Sequence, residues 1–363
     1  MRTGIPRAAR GAVPEDLAVT LATTITLPAS AAPTMDVVAE GFAGPLGLAV
    51  GDDGTVYVGE AFAGLLTTID RHGTRSVLVD QSGNEIAGVD ATGRGNVAFV
   101  QTLFDGQPPP DGPAPVLDAT LETVRPNGRT TTVASLHDYE IDFNSDGGAL
   151  YGFVDVDADC LAKVSPEIGD LSAYPGIVES HPYAVAIVAG GWLVADAAGN
   201  TIVEVGRNGR VSTLAVLPPV ANVIDEIVAD AFGLPDCLVG ETYWGEPVPT
   251  DVEVGRDGDY YVSTLPGVPE LPGSGAVWRI DSATGDLTRV TDGLTGAVDL
   301  AVADDGTIYV AELFADQIST VVGGVVAPWV SVPSPGAVEA APDGTVYATT
   351  NVFGPGALVT LTP

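Results

Sequence analysis

One short run of oxygen-bearing side chains has the spacing of a metal-binding loop. Asp142, Asn144 and Asp146 alternate with other residues and are followed by Gly147. Oxygen ligands at alternate positions can converge on a hard cation such as calcium, and the glycine permits the sharp turn of such a loop. The twelfth position, where an EF-hand loop has glutamate, is Phe153, and the flanking sequence does not indicate helices. The alternative is a series of Asx turns that binds no metal.

Five further carboxylates recur at equivalent positions of a repeated apolar segment. Asp90, Glu253 and Glu339 occupy its third position in alternate copies, and Asp251 and Asp299 lie two residues ahead of that position. If these segments line a central tunnel, the acids form a ring that could bind a cation or a polar ligand on the axis. The alternative is that each carboxylate accepts hydrogen bonds from the backbone of a neighbouring unit. Asp251 and Asp299 are the best candidates for contacting a ligand.

A second series of acids alternates with the first. Wherever the third position of the apolar segment is alanine, the following strand ends in an acid instead, at Glu60, Asp196 and Glu312. The two series together predict carboxylates at two heights of the tunnel.

Other catalytic residue types are sparse. His72, His137 and His181 are the only histidines, so a zinc or copper site built from several histidines is not expected. His181 precedes an apolar segment and could serve as a catalytic base; the alternative is a hydrogen bond that orders its loop. The chain has no Gly-x-Ser-x-Gly elbow, P-loop or Gly-x-Gly-x-x-Gly fingerprint.

These residues belong to a repeated arrangement of strands. A short apolar strand, an Asp-Gly turn and a second strand recur in four closely similar copies, which begin at residues 47, 251, 299 and 338; two degenerate copies begin at 88 and 184. Asp-Gly supplies the positive φ of a two-residue hairpin, and the alternating apolar residues beside it indicate antiparallel strands. Two more strands follow in each unit. Six units of four strands predict an all-β fold, the six-bladed β-propeller, with a β-sandwich as the alternative.

The two ends of the repeat region predict how the ring closes. The last unit has only three strands, and residues 35–39 form a strand left over before the first unit. Joined, they complete one blade and leave no long exposed edge, so a monomer is expected. The predicted propeller is a single domain of residues 34–363.

Two long insertions, residues 138–180 and 220–250, interrupt the regular spacing. Both follow the last strand of a blade, so both lie on the face where the next blade begins, and long loops on a rigid scaffold commonly carry function. Each insertion holds one of the two cysteines, which predicts a Cys160–Cys237 disulfide; the alternative is two buried free thiols. Apolar residues between 224 and 231 fall at helical spacing before Gly233 and predict a short helix.

Aromatic side chains gather in or beside the insertions. Tyr183, Tyr243 and Trp244 could stack on a sugar ring or an aromatic ligand, with His181 beside them. The alternative is that these aromatics pack beneath the insertions and contact no ligand.

Composition restricts the partners and the location. The 363 residues include 48 acidic and 14 basic side chains, a net charge of −34, so nucleic acid and anionic membrane surfaces are not expected partners. Residues 1–33 combine a basic head, an apolar stretch and a small-x-small cleavage site, which predicts an export signal and a secreted protein. The alternative is a disordered cytosolic tail. The apolar stretch is too short to span a bilayer.

Four segments carry a family resemblance. The run VADAAGNTI (194–202) resembles the NHL-type propeller repeat. HPY (181–183), EPVPTDVEV (246–254) and YVSTLPG (261–267) look like the ScyD/ScyE family, exported bacterial propellers named for members encoded beside scytonemin biosynthesis genes. The resemblance implies the propeller fold and export. It implies no reaction and no catalytic residue.

Three functions follow from these observations. The first is an exported binding propeller that holds a small molecule or an extracellular protein on its insertion face and performs no chemistry. The alternative is a calcium-dependent hydrolase or lactonase, since six-bladed propellers of that kind hold an axial metal with acids and Asn; the inner strands here offer carboxylates but no Asn. The third, which rests on the family name, is an accessory protein of aromatic pigment or other secondary-metabolite biosynthesis. Calcium is the one cofactor that these motifs indicate.

Overall fold

A computed structural model describes residues 33–92, 95–106 and 115–362 of the chain. Within these ranges, six four-stranded antiparallel sheets follow one another as the blades of a β-propeller, which confirms the predicted fold. Blades are numbered 1 to 6 in chain order, and the four strands of each are called inner, second, third and outer. The inner strands contact one another in a closed cycle around the axis, from blade 1 to blade 6 and back to blade 1.

The strands of the first three blades are Pro45–Val50, Val56–Glu60, Leu65–Ile69 and Arg75–Asp80 in blade 1, Asn84–Thr92, Asn96–Phe104, Val116–Val124 and Thr130–Ser135 in blade 2, and Pro182–Val188, Gly191–Asp196, Thr201–Gly206 and Val211–Val216 in blade 3. Those of the last three are Pro249–Val254, Tyr260–Thr264, Gly275–Ile280 and Leu287–Leu294 in blade 4, Ala297–Val302, Ile308–Glu312, Gln317–Val322 and Val325–Ser331 in blade 5, and Val338–Ala340, Val346–Thr350, Gly356–Thr362 and Thr34–Phe42 in blade 6.

The Asp-Gly turns join the inner and second strands, but through three-residue loops rather than the predicted two-residue hairpins: in blade 1 the Gly51 N–H donates to the Thr55 carbonyl at 2.9 Å. Gly54 and Gly306 have φ angles of 79° and 86°. A Cβ atom at either position would meet nothing within 4 Å, so the backbone conformation alone requires glycine there. These local turns therefore set the hairpin register of each blade.

The first described strand closes the ring. Thr34–Phe42 pairs antiparallel with Gly356–Thr362, from Thr34 opposite Thr362 to Phe42 opposite Gly356. The predicted closing strand is thus confirmed and is longer at both ends than residues 35–39. Its pairing covers the backbone edge that the third strand of blade 6 would otherwise expose.

Apolar residues of adjacent blades pack together and form the core between them. Leu66 and Val79 of blade 1 belong to one buried cluster with Phe99 of blade 2. An equivalent cluster joins Ile202 of blade 3 to Val262 of blade 4. Because each blade is covered on both faces by its neighbours, the six blades depend on one another for burial.

The insertions add short elements of their own. They contain the helices Leu136–Phe143, Ala158–Leu161 and Glu226–Phe232, the 3-10 helix Asp236–Leu238, and the strand pairs Leu150–Tyr151 with Tyr174–Pro175 and Val220–Val223 with Thr242–Gly245. A second 3-10 helix, Leu313–Ala315, follows the second strand of blade 5. The predicted helix before Gly233 is confirmed: Asp225 caps its N-terminus, and Gly233 ends it with a φ of 66°.

The expectation that no helix flanks the calcium-like run is wrong. Helix Leu136–Phe143 begins after Ser135, whose side chain accepts a hydrogen bond from the Asp138 N–H at 3.0 Å. Its sequence pattern is weak because the helix is short and two of its apolar side chains, Ile141 and Phe143, are exposed.

The two insertions form one structure, which we call the lid. Cys160 and Cys237 form the predicted disulfide, with 6.0 Å between their Cα atoms. Gly152 and Trp244 exchange two backbone hydrogen bonds of 2.8 and 3.0 Å across the insertions. The lid also has its own apolar cluster, formed by Phe153, Cys160, Ile224, Ala229, Leu238 and Tyr243.

No helix in the described ranges is long and apolar enough to cross a membrane. Residues 1–32 of the predicted export signal lie outside the described residues, so that signal stays a prediction.

Candidate functional site

The inner strands leave a small polar cavity on the axis of the propeller. Its volume is about 10 Å³, which is about what a single water molecule requires. Tyr183 and Leu46 line it together with Asp251, Glu253 and Asp299. The structure therefore brings four predicted site residues together on the axis, below the face that carries the lid.

Three axial carboxylates link neighbouring blades. Asp90 Oδ2 accepts a hydrogen bond of 2.6 Å from the Ile187 N–H of the next blade. Asp251 accepts one of 3.1 Å from the Leu300 N–H, and Asp299 accepts one of 2.9 Å from the Val338 N–H, again in the next blade. The interpretation as an interblade hydrogen-bond acceptor is confirmed for Asp90, and Asp251 and Asp299, which the sequence favoured for ligand contact, are bonded in the same way. Asp251 and Asp299 are buried and hydrogen-bonded, which leaves little surface for a ligand.

The axial carboxylates also have raised pKa values. Burial raises the pKa of Asp90 to about 6 and that of Asp251 to about 7. Burial and then the charge of Glu339 hold the pKa of Glu253 well above its usual value, and burial acts in the same direction on Asp299 and Glu339. Apart from burial, every group that raises these pKa values is acidic, so the axis favours protonated carboxyls.

No metal-binding arrangement is evident among these acids. Within the described residues, no group of three or more His, Cys, Asp and Glu side chains is arranged to hold a metal ion. The axial calcium site at Asp90, Glu253 and Glu339 consequently stays a prediction from the sequence.

The second series of acids lies inside the blades, so the prediction of carboxylates at two heights of the tunnel is wrong. Glu60, Asp196 and Glu312 are buried. Each accepts a hydrogen bond from a backbone N–H just before the inner strand of its own blade; the donors are Ala43, His181 and Thr295. Hydroxyl groups of Thr67, Ser180 and Ser319 donate to the same three carboxylates. These acids fix the entry of the inner strand and face away from the axis.

His181 forms an ion pair between blades 2 and 3. Its Nε2 lies 2.6 Å from Glu85 Oε1, and both side chains are partly buried. Burial alone would lower the pKa of His181, but the hydrogen bond and charge of Glu85 outweigh it and raise the pKa above its usual value. An imidazole held by this hydrogen bond orders its loop, and its Nε2 is already engaged and not free to act as a base. Glu85 has no sequence signal of its own, because it precedes the repeated segment.

Tyr183 packs over the axial cavity. It contacts an apolar cluster that holds Leu46, Val298 and Val338. Burial raises its pKa, so the phenol remains neutral. Tyr183 thus lines the axial cavity beside Asp251 and Asp299 as a neutral group.

Three exposed phenylalanines were not identified from the sequence. Phe62, Phe314 and Phe353 follow the second strands of blades 1, 5 and 6, which are consecutive around the ring, and are 59%, 48% and 70% exposed. The residue before each is buried in the same apolar cluster on which Tyr183 packs: Ala61, Leu313 and Val352. We call these three side chains the phenylalanine arc. A repeated apolar-Phe pair after the second strand is the signal that could have revealed it.

Glycines support two members of the arc. A Cβ at Gly44 would lie 2.5 Å from the Phe62 ring, and one at Gly296 would lie 2.7 Å from the Phe314 ring. Each ring therefore rests directly on a glycine backbone, which fixes its position although its outer surface is exposed.

The remaining aromatic candidates belong to the lid. Tyr243 is buried and packs edge-on against Phe153, with 5.2 Å between ring centroids. Trp244 is 36% exposed. An apolar groove of about 40 Å³ runs beside Tyr243 and is lined by Ile168, Val228, Phe232 and other lid residues. The candidate ligand-binding residues therefore fall in two places, the axis and the lid.

The structure does not form a calcium loop from Asp142, Asn144 and Asp146. Asp142 lies exposed in the last turn of helix Leu136–Phe143, and Asn144 caps the helix with a φ of 40°. Asp146 is buried, and its Oδ2 accepts hydrogen bonds from the Tyr151 hydroxyl and the Asn200 amide at 2.9 and 2.8 Å. Burial raises its pKa.

Comparison with known proteins establishes the fold and no family. No family model and no curated protein matches this chain. A gluconolactonase from Xanthomonas campestris has a similar structure, with a TM-score of 0.56 and 10% identity over 91% of this chain and 89% of that one. A glucose dehydrogenase gives a TM-score of 0.52 and 12% identity, over 90% of this chain and 99% of that one. A streptogramin B lyase gives a TM-score of 0.51 and 13% identity, over 91% of this chain and 97% of that one. This chain is a six-bladed propeller related in structure to lactonase and lyase propellers.

Proposed function

We propose that this protein is an exported propeller that binds an organic molecule or another extracellular protein on the face that carries the lid, and catalyses no reaction. The phenylalanine arc is the observation that carries this proposal. Large apolar side chains exposed together on a soluble protein usually mark an interaction site.

The arrangement of the arc favours recognition over incidental exposure. Phe62, Phe314 and Phe353 each lie two or three residues past the end of the second strand in consecutive blades, and their preceding residues share one buried cluster. Two of the rings rest on glycine backbone, so little side-chain entropy is lost when a ligand stacks on them. The arc and the lid lie on the same face, which gives a ligand two apolar surfaces.

The polar groups near the axis support binding without chemistry. Asp90, Asp251 and Asp299 accept backbone hydrogen bonds from the next blade, and His181 is paired with Glu85. A general base needs a free acceptor within reach of its substrate, and these groups are already engaged.

Export is the second part of the proposal. The resemblance to the ScyD/ScyE family and the signal-like residues 1–33 support it, and a disulfide in the lid favours an oxidising compartment. The family name suggests an aromatic secondary metabolite as the ligand class.

A thermal-shift screen of neutral aromatic compounds tests the binding face. The test variant replaces Phe62, Phe314 and Phe353 by serine. The matched control replaces three similarly exposed apolar residues of third and outer strands, Val77, Val322 and Val325, by serine. Compounds that raise the Tm of the wild type are expected to raise that of the control and not that of the arc variant. A screen without any stabilising compound, or stabilisation retained by the arc variant, contradicts the proposal.

The calcium-dependent hydrolase is the second candidate, because Glu253 lines the axial cavity and its pKa is raised by burial and then by other acids, with no donor that lowers it. Lactone hydrolysis that requires calcium and is abolished by Glu253→Gln would replace the binding proposal. Absence of hydrolysis with and without calcium leaves the binding face as the functional surface.

A further inference from the structure

The end of helix Leu136–Phe143 collects buried oxygen atoms that have no hydrogen-bond partner. Within the described residues, four buried side-chain nitrogen or oxygen atoms lack a partner, and three of them are Glu140 Oε1, Asn144 Oδ1 and Asp146 Oδ1. Buried polar atoms are almost always paired, so three unpaired acceptors within seven residues require an explanation. An acceptor can be satisfied by a hydrogen-bond donor or by a cation.

The three side chains contact neighbouring backbone at the end of the helix. The Asn144 amide nitrogen donates to the Gly176 carbonyl at 3.1 Å. Asp146 Oδ1 lies so close to Gly176 that a Cβ there would be 2.0 Å from it. The other oxygen of Glu140 accepts from the Ser145 N–H, at 3.3 Å, between Asn144 and Asp146. Asn144 and Asp146 therefore both lie against Gly176, and Glu140 is bonded to the residue between them.

Negative charge at this place has no basic partner in the described part of the chain. Glu140 and Asp146 are only 3% and 1% exposed, neither forms an ion pair there, and the last turn of the helix holds no basic residue. Asp196 adds a third carboxylate whose charge acts on Glu140. The negative end of the helix dipole also points here. Buried unpaired carboxylates are costly, and a bound cation would remove that cost.

We propose that Glu140, Asn144 and Asp146 bind a hard divalent cation, calcium, through their unpaired oxygens. Two carboxylates balance its charge, and the amide supplies a neutral third oxygen. An all-oxygen set without His or Cys suits calcium and disfavours zinc. The site differs from the loop predicted from the sequence, because Glu140 replaces Asp142, which is exposed on the helix.

The cation would fasten the first insertion to blade 3. Asp146 accepts a hydrogen bond from Asn200, and the Ser145 hydroxyl lies 2.8 Å from that of Thr213 in the outer strand of that blade. Asn200 Oδ1 in turn accepts from the Val248 N–H at the end of the second insertion, at 3.1 Å. Occupancy is therefore expected to stabilise both halves of the lid.

Calorimetric titration of CaCl₂ into the EDTA-treated protein in physiological salt tests the site. One calcium per chain is expected, with affinity lowered roughly 10- to 100-fold by Glu140→Gln or Asp146→Asn, since affinity follows the ligand charge. Asp142→Asn removes an equal charge from the same helix and is expected to leave the affinity unchanged. No saturable binding in the wild type, or equal losses in all three variants, overturns the proposal.

Crystals of the wild-type protein soaked with terbium keep the proposal testable if the variants do not fold. An anomalous peak at roughly 2.3–2.6 Å from Glu140 Oε1 and Asp146 Oδ1 is expected. The proposal is overturned if anomalous peaks are found only at other places and water molecules are hydrogen-bonded to the three oxygens. Neither result depends on the ligand of the phenylalanine arc.

Discussion

At the scale of single residues, the His181–Glu85 pair should behave as a charged interblade contact. Glu85→Gln removes the charge that raises the pKa of His181, so that pKa is expected to fall. NMR titration of the imidazole signals can follow this, because the chain has only three histidines. An unchanged pKa would mean that the two side chains do not interact in solution.

The same pair makes a pH-dependent contribution to stability. Folding raises the pKa of His181, so the native state holds the proton more tightly and the contribution is complete below the pKa of the unfolded state. It is lost as the pH rises through the folded-state pKa. Glu85→Gln is therefore expected to cost about 1–2 kcal/mol at acidic pH and less at pH 9, as measured by urea unfolding.

Glu253 should act on stability through its protonated form. Folding raises its pKa, so the native state binds more protons than the unfolded state, and stability falls as the pH rises through the folded-state pKa. Glu253→Gln mimics the protonated form and is expected to stabilise the protein at pH 8 by about 1 kcal/mol or more, roughly 2–4 °C in Tm. At pH 4, where Glu253 carries its proton, the variant is expected to match the wild type.

The exposed Glu241 provides the control for this prediction. Glu241→Gln removes the same charge from the molecule and is expected to leave the Tm at pH 8 unchanged within 1 °C or about 0.5 kcal/mol. Equal stabilisation by both substitutions would attribute the effect to net charge rather than to the axis.

At the scale of elements, the disulfide should stabilise the lid. It closes a segment of 77 residues, and cross-links of such long segments restrict the unfolded chain. Replacing Cys160 and Cys237 together by serine is expected to lower the free energy of unfolding by about 2–4 kcal/mol. Hydrogen exchange should rise in the lid helix Glu226–Phe232 and stay low in the blade strands; uniform exchange would mean that the lid and blades unfold together.

Local patterns made some elements predictable and left others hidden. The hairpins follow from Asp-Gly turns, and the lid helix follows from apolar spacing that ends at Gly233. Helix Leu136–Phe143 is hidden because its apolar residues Ile141 and Phe143 are exposed, and one of its two buried residues is an acid, Glu140.

The candidate site was harder to predict because its contacts are distant in sequence. His181 and Glu85 are 96 residues apart in the sequence. Neither their residue types nor their separation indicates that the two side chains form a pair. The axial acids could be placed on the axis by aligning the repeats, whereas their bonding to the next blade depends on the rotation between blades. The arc depends on which side of each loop faces outward, which a single sequence does not reveal.

At the scale of the whole molecule, six similar blades depend on one closing strand. Thr34–Phe42 supplies the outer strand of blade 6, and Phe42 is fully buried in a cluster with Leu48, Val58 and Leu358. Losing that strand exposes both the apolar cluster and the backbone edge of Gly356–Thr362. Closure is therefore a global contribution to stability made by nine residues.

Comparison of a chain that begins at residue 43 with one that begins at residue 33 tests this dependence. Loss of Phe42 alone is expected to cost about 3–5 kcal/mol, so the Tm should fall by roughly 10 °C or more. The open edge of Gly356–Thr362 is expected to pair with other copies, which size-exclusion chromatography would detect as dimers and larger species. A synthetic peptide of residues 33–42 should restore the monomer, because it supplies the missing strand. A shortened chain that stays monomeric with an unchanged Tm would show that the ring is held by the blade cores alone.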